Sequence, residues 1–199
     1  MRQARIVAGV VLILLLASGC TAIKRKAYEG FNRDAWQQPN RVVETLAIQP
    51  GQTIVDLGAG GGYFTFRLAD AVGAGGTVYA ADVDSALLDF LKKEAEKREY
   101  ANVKTMMGEA ADPKLPDGGA DLIFLCNVYH HLEDRAAYFR NLKKYLRPGG
   151  RVAIVEFQSG MHSTAAETIR QELIQAGYYR QNQYDFLKKQ NFQIFMPNP

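Results

Sequence analysis

The run Thr53-Ile54-Val55-Asp56-Leu57-Gly58-Ala59-Gly60-Gly61-Gly62-Tyr63 sets a carboxylate, Asp56, just ahead of a glycine-rich turn. Gly58, Gly60 and Gly62 let backbone approach a ligand where a Cβ would collide. A short β-branched strand, a glycine turn and a helix read over Tyr63 to Ala71 together make a nucleotide-type pocket. The acid selects the ligand. A carboxylate there repels a pyrophosphate and suits a group carrying an ammonium or sulfonium charge. A dinucleotide fingerprint needs glycine or alanine where Tyr63 stands, and a P-loop needs a Gly-Lys-Ser/Thr ending that the turn lacks.

Two further groups could do chemistry. Thr77 to Asp82 reads as a second strand ending in a carboxylate, and an acid at that place accepts hydrogen bonds from both hydroxyls of a ribose. Asp84 and Ser85 fit the cap of the next helix, which leaves Asp82 for the ligand. The second group is Tyr129-His130-His131, just past a buried fourth strand. A histidine titrates near neutrality, so His130 is a candidate general base for an attacking hydroxyl or amine. His131 is a weaker candidate, His162 a third, and Tyr129 a substrate-positioning residue. The competing reading gives these histidines only packing or capping roles.

The elements that must position these groups alternate along the chain. Strands are expected at 53–57, 77–82, 102–107, 120–126 and 151–156, with helices near 85–97 and 135–146 between them. Leu87, Leu88, Leu91 and Ala95 make the buried face of the first of those helices, with Lys92, Lys93, Glu96 and Lys97 facing solvent. Such alternation predicts an α/β domain whose mostly parallel sheet is covered on both faces. Thr164-Ala165-Ala166-Glu167 has the pattern of a capping box, and Gly177 suits the end of that helix. Strands over 178–187 and 191–196 then form a closing hairpin around Lys188-Lys189-Gln190. A helix-like run spans Arg41 to Ala47, preceded by the only tryptophan, Trp36, read as a hydrophobic clamp or a lid.

Asp56-Leu57-Gly58-Ala59-Gly60-Gly61-Gly62, Asp82, Gly108-Glu109-Ala110 and Leu146-Arg147-Pro148-Gly149-Gly150 resemble the ordered motifs of class I S-adenosylmethionine-dependent methyltransferases. The similarity is closest to the ubiquinone-biosynthesis-like, type 11 group and covers about residues 35 to 199. It implies a Rossmann-like, mostly parallel seven-stranded sheet with a C-terminal antiparallel hairpin, and S-adenosyl-L-methionine as cofactor. It places Asp56 near the methionine amino group, and Gly58, Gly60 and Gly62 along the methionine and ribose. Asp82 falls on the ribose, Val83 against the adenine, and Ala110 at the adenine through its backbone. Glu109 stands where the family has Asp, and Asn127 would serve the methionine end. Nothing in the motifs calls for a metal.

Arg2 and Arg5 precede an apolar run, Ile6 to Leu16, that ends in Ala17-Ser18-Gly19-Cys20. A positive start, a short apolar stretch and small residues before a cysteine resemble a bacterial lipoprotein signal. Residues 1–19 are thus read as signal, 20–40 as tether and N-terminal lid segment, and 41–199 as the methyltransferase domain. This reading predicts a membrane anchor through acylated Cys20, facing the periplasm or exterior; the alternative is a cytosolic domain on an uncleaved anchor. Loss of Arg2 and Arg5 takes the net charge from +3 to +1, which offers no broad basic surface for nucleic acid. With Cys20 lipidated, only Cys126 remains, so no internal disulfide forms. The sequence thus predicts a membrane-tethered methyltransferase acting on a small-molecule or lipid-like acceptor. The other function class it admits is an exported binding protein that keeps the pocket without turnover; a dinucleotide oxidoreductase is disfavoured by Tyr63 and Asp56.

Overall fold

Successive residues of a strand point to opposite faces, so an apolar run without alternation must be covered on both sides. Ile54 and Val55 of β1 (Thr53–Leu57) do this, as do Leu122 to Leu125 of β4 (Ala120–Cys126), all of them buried. The computed structural model describes residues 32–199 and builds both layers. Val55, Leu57, Ile123, Leu125 and Ile154 face one cluster, completed by α5 (Arg135–Leu142) and α6 (Ala166–Gln175) through Phe139, Leu142, Ile169 and Leu173. Ile54, Leu122, Phe124, Ala153 and Val155 face the other, completed by α2 (Pro39–Thr45) and α3 (Thr65–Val72) through Val42, Leu46, Leu68 and Val72. A short helix, α1 (Arg33–Gln37), precedes α2.

The remaining elements are β2 (Thr77–Asp82), α4 (Ser85–Lys97), β3 (Val103–Met107), β5 (Leu146–Phe157), β6 (Tyr178–Tyr184) and β7 (Gln190–Pro197). The seven strands lie in the order β3-β2-β1-β4-β5-β7-β6. β1 to β5 are parallel, and β7 runs antiparallel between β5 and β6. This is the expected mostly parallel sheet with its closing hairpin. The chain crosses from the β1–β3 half to the β4–β7 half beside β1, and a crevice opens there beyond the strand ends.

Several local expectations shift. α3 starts at Thr65, because the glycine turn runs on through Gly62. The helix expected to reach Leu146 stops at Leu142, and a 3₁₀ turn over Lys143–Tyr145 leads straight into β5. Arg147-Pro148-Gly149-Gly150 lies inside that strand as an irregularity: Ala120 pairs with Leu146 and Leu122 with Arg151. The capping box does not form. α6 begins at Ala166 with no side-chain cap; Glu167 holds Arg170 and Gln171 instead. Thr164 closes the preceding loop, donating its N–H to the Phe157 carbonyl and accepting from Asn191. Asp84 does cap α4, accepting from the N–H groups of Ala86 and Leu87. The signal segment and Cys20 lie outside the described residues, among which no helix is long and apolar enough to cross a membrane.

Gly62 is where two helices meet the first turn. Its φ is +88°, and a Cβ there would come within 2.9 Å of Phe66 and 3.3 Å of Leu91. Gly62→Ala should therefore lower the unfolding free energy by about 2–3 kcal/mol, from a disfavoured backbone conformation and an overpacked contact. Urea unfolding followed by circular dichroism measures it.

Candidate active site

The turn after β1 is held by the end of β2. The Ala81 carbonyl accepts the N–H groups of Gly58 (2.8 Å) and Ala59 (3.1 Å). One Asp82 oxygen accepts the Gly60 N–H at 2.8 Å, and the other accepts the Asp84 N–H at 3.0 Å. Each carboxylate oxygen has a further lone pair, enough to receive two hydroxyls side by side. Gly58 has φ +75°, and a Cβ on it would sit 2.2 Å from Val128, so only glycine lets the turn close against the loop after β4. Gly60, with φ +54°, has nothing within 4 Å of where its Cβ would be, because it borders a cavity of about 450 Å³.

Asp56 forms the back of that cavity and is 3% exposed. Burial pushes its carboxyl up to about 6; the hydrogen bond from Thr65 Oγ (2.6 Å) resists that rise, and the charge of Asp82 adds to it. Because the folded value lies above the ordinary 3.8, this group favours the folded chain below about pH 4, and the contribution is lost as pH rises through about 6. Ionised at neutral pH, it costs the free protein about 3 kcal/mol. Arg33, which also lines the cavity, favours the ionised form, and a cationic ligand group beside Asp56 would offset the cost further.

The structure brings Asp56, Gly58, Gly60, Asp82, Val83, Glu109, Ala110 and Asn127 to the same cavity. Val83 is 57% exposed at its edge, a surface for a flat ring to cover. Glu109 is solvent-facing and paired with Lys114 at 3.3 Å, so its side chain is already engaged. Asn127, at φ +58°, has its side-chain carbonyl bonded by Gln190 Nε2 at 2.6 Å; its amide hydrogens and backbone carbonyl are what it can offer a ligand. Gly62 does not line the cavity; Gly61 does, and Gly62 serves helix packing instead.

The histidine segment divides differently from the expectation. Tyr129 is fully buried, stacked on Phe139 at 5.4 Å, and donates its hydroxyl to Glu172 at 2.6 Å. Burial and that carboxylate raise its pKa far above the ordinary phenol range. Tyr129 is therefore a core residue in this arrangement, with no surface for a substrate. His131, the weaker candidate, lines the cavity, and its pKa is lowered by desolvation and by the two other histidines. His130 is not among the residues that line the cavity; its Nδ1 is 3.0 Å from Glu156, and its ring lies 4.0 Å from His131, which does line it, and 5.5 Å from His162.

Glu156 was not legible as a site residue because it lies next to last in β5, inside an apolar run. It is completely buried. One oxygen takes His130 Nδ1 and the Phe157 N–H (2.8 Å); the other takes the His130 N–H (3.3 Å). Burial raises its pKa, while His130 and the two backbone donors favour the ionised form. A second unforeseen group is polar. Arg33 reaches the cavity, lies 3.7 Å over the Tyr63 ring, and donates to Gln37. Gln37 is fully buried and donates to Cys126 Sγ (2.8 Å) and to Gln190 (3.1 Å). Trp36 packs on Phe157 at 5.6 Å, a clamp between α1 and the end of β5. Among the described residues no group of three or more His, Cys, Asp or Glu is arranged to hold a metal ion.

A glycine cradle bounded by a ribose-type acid and a desolvated acid, at the switch point of this sheet, defines an α/β domain of the nucleoside-binding class. A family model described as a methyltransferase domain matches residues 48–191, and the chain belongs to that family, whose cofactor is S-adenosylmethionine. The chain is 29% identical over 121 residues to a ubiquinone/menaquinone biosynthesis C-methyltransferase of Shewanella frigidimarina, covering 60% of this chain and 48% of that protein. It is 30% identical over 114 residues to nocamycin O-methyltransferase of Saccharothrix syringae, covering 57% and 41%. The chain thus spans about half the length of the curated relatives it matches. A solved SAM-dependent methyltransferase from Aquifex aeolicus shares the fold, with a TM-score of 0.81, 24% identity, and coverage of 87% of this chain and 96% of that one.

The residues fit the cofactor. Asp82 has the spare acceptor sites for a ribose, the Gly60 cradle leaves room that a Cβ would fill, and Asp56 meets a cation rather than a phosphate. Affinity for S-adenosylmethionine should rise with pH up to about 6 and level off above it, since only ionised Asp56 recovers its desolvation cost from the ligand's positive charge. Calorimetric titrations from about pH 5 to about pH 8 should show that rise, and Asp56→Asn should flatten it.

Proposed function

We propose that this chain is a methyltransferase that passes a methyl group from S-adenosylmethionine to a small-molecule or lipid-like acceptor, and that it works tethered to a membrane through its N-terminal segment. The observation that carries the catalytic part is the pairing of a glycine cradle between two acids with a buried Glu156–His130 couple beside it. The tether rests on the lipoprotein-like pattern from Arg2 to Cys20. The relatives named as C- and O-methyltransferases support the reaction class and leave carbon and oxygen acceptors both open.

When bound, the cofactor supplies an electrophilic methyl group on a sulfonium, already a good leaving arrangement. The chain's own residues then bind, orient and manage a proton. Asp82 and Asp56 fix the two ends of the ligand, while Leu132 and Tyr138 add apolar surface to the cavity wall. Glu156 commits Nδ1 of His130, so with Glu156 ionised the basic nitrogen is Nε2. Nε2 takes the proton of an acceptor hydroxyl or activated carbon, and Glu156 stabilises the resulting imidazolium. Buried Glu156 is thus a positioning residue, and His130 the candidate base. Cys126 is no rival nucleophile, since burial pushes its thiol up to about 12.

Methyl-labelled S-adenosylmethionine incubated with the full chain and a bacterial membrane extract should yield a labelled lipid-phase product, and Asp82→Ala should abolish it. Absence of any labelled product with a chain that still binds the cofactor would sink the catalytic reading. Once an acceptor is known, His130→Ala should lower kcat roughly 10²-fold or more. Glu156→Gln should lower the plateau rate, since it removes the carboxylate that fixes the tautomer and orientation of His130; Glu156→Asp should restore part of it.

A further inference from the structure

Two loops meet beside the cavity and carry a surface that the catalytic reading does not use. The first follows β5, residues 158–163, and is closed on itself by the Thr164 N–H bonding to the Phe157 carbonyl at 3.1 Å. It holds His162, one of the three clustered histidines, and beside it Met161, which is 93% exposed. The second joins β6 to β7, residues 185–189, and exposes Lys188 and Lys189. The Gln158 N–H bonds to the Lys189 carbonyl at 3.1 Å, and the Gln158 side chain donates to the Gln190 carbonyl at 2.8 Å, so the two loops form one edge. Half-buried Trp36 completes it, its ring 5.6 Å from Phe157 and 5.3 Å from Lys189 Nζ. Arg41, exposed and 4.2 Å over the Phe186 ring, extends the cationic side.

An exposed thioether, an aromatic clamp and flanking lysines are the components of a surface that sits in a headgroup layer, apolar tips inward and ammonium groups among the phosphates. The acids nearby are few: Asp34 is bonded by Tyr63 and Arg67, and Asp185 is exposed at the start of the second loop. What lies on this edge is indicated by the chain that precedes the structure. The described residues begin at Asn32, one position before Arg33, which itself lines the cavity. The apolar run 6–16 and Cys20 lie upstream. From Cys20 to Asn32 the chain can reach at most about 40 Å, so a membrane anchor there confines the domain near the surface without setting its orientation.

We propose that the edge formed by Trp36, Phe157, Met161, Lys188 and Lys189 rests on the lipid bilayer and turns the mouth of the cavity toward it. The proposal rests on the membrane-tethered reading and deepens it: the acceptor is an amphiphile that enters from the bilayer, past His162, rather than a solute captured from water. Contact with the bilayer covers Met161 and lets Lys188 and Lys189 meet anionic headgroups, and the anchor supplies the high local concentration that so small a patch needs.

Trp36 is the only tryptophan of the chain, so its fluorescence reports on this edge alone. The full chain is reconstituted into vesicles of phosphatidylcholine and phosphatidylglycerol, with and without bromine on the upper acyl carbons, and the vesicles are floated on a density gradient. The expected result is co-flotation with a roughly twofold loss of Trp36 emission in brominated vesicles, for a ring lying about 5–10 Å into the interface. The variant Met161→Asp, Lys188→Glu, Lys189→Glu changes only exposed side chains; it should still float, through its intact N-terminus, and lose the bromine effect. Co-flotation with equal emission in both vesicle types overturns the proposal while the tether stands. Bromine quenching that survives in the triple variant also overturns it, since nearness to the anchor would then suffice. A chain that fails to float removes the tether and the proposal with it.

Discussion

Everything at the site hangs on how the turn after β1 is pinned to the end of β2. A glycine-rich turn is by itself a floppy connection, with more conformations to lose than any other segment. Here the Ala81 carbonyl and the Asp82 carboxylate hold three consecutive N–H groups of that turn, those of Gly58, Ala59 and Gly60. The register places Leu57 opposite Ala81, so parallel pairing of β1 with β2 brings donors and acceptors together with no further adjustment. Asp82 then has two duties, since the carboxylate that fixes the protein backbone also lines the cavity. Because protein groups alone hold the turn, binding is spared the cost of ordering the loop.

How much of this could be read from the residues depends on whether a role is local. Asp56, Gly58, Gly60 and Asp82 were legible because strand, turn and acid lie close together in sequence and the chemistry follows from their order. The seven-stranded sheet was legible because both faces of β1 and β4 are apolar. Gly62 reads like its neighbours, yet its need for a missing side chain comes from Phe66 and from Leu91 on another helix. Tyr129 beside two histidines looks like part of a site, and only the packing of Phe139 and Glu172 shows that it points into the core. Thr164 and Glu167 have the right spacing for a cap, but the Thr164 backbone is tied to Phe157 and Asn191 while Glu167 binds Arg170 and Gln171 on its own helix. Glu156, Arg33 and Gln37 share the opposite fate: they act on segments far away in sequence, and no local pattern announces them.

Gln37 shows how the N-terminal helix is seated. α1 is a little over one turn long, too short to be stable alone. A fully buried amide connects it to Cys126 on β4 and to Gln190 at the start of β7, and Gln190 continues to Asn127 at the cavity. Buried polar links of this kind accept few alternative positions, because a slipped partner leaves an amide unsatisfied in a place without water. The helix is thereby keyed to one position over the strand ends, with Arg33 at the cavity wall and Trp36 clamped on Phe157. The segment leading in from the N-terminus thus enters the fold through a wall of the cofactor cavity.

Cys126 stands at the centre of this arrangement, and its chemistry is decided by the company it keeps. Burial pushes its thiol up to about 12, so the thiolate is strongly disfavoured at neutral pH. Oxidants, disulfide-exchange catalysts and alkylating agents all act through the thiolate, so the raised pKa makes this sulfur a poor target for them. An oxidising environment would thus find in this part of the cavity wall a poor partner for cross-linking, and the polar links that seat α1 keep the sulfur as their acceptor.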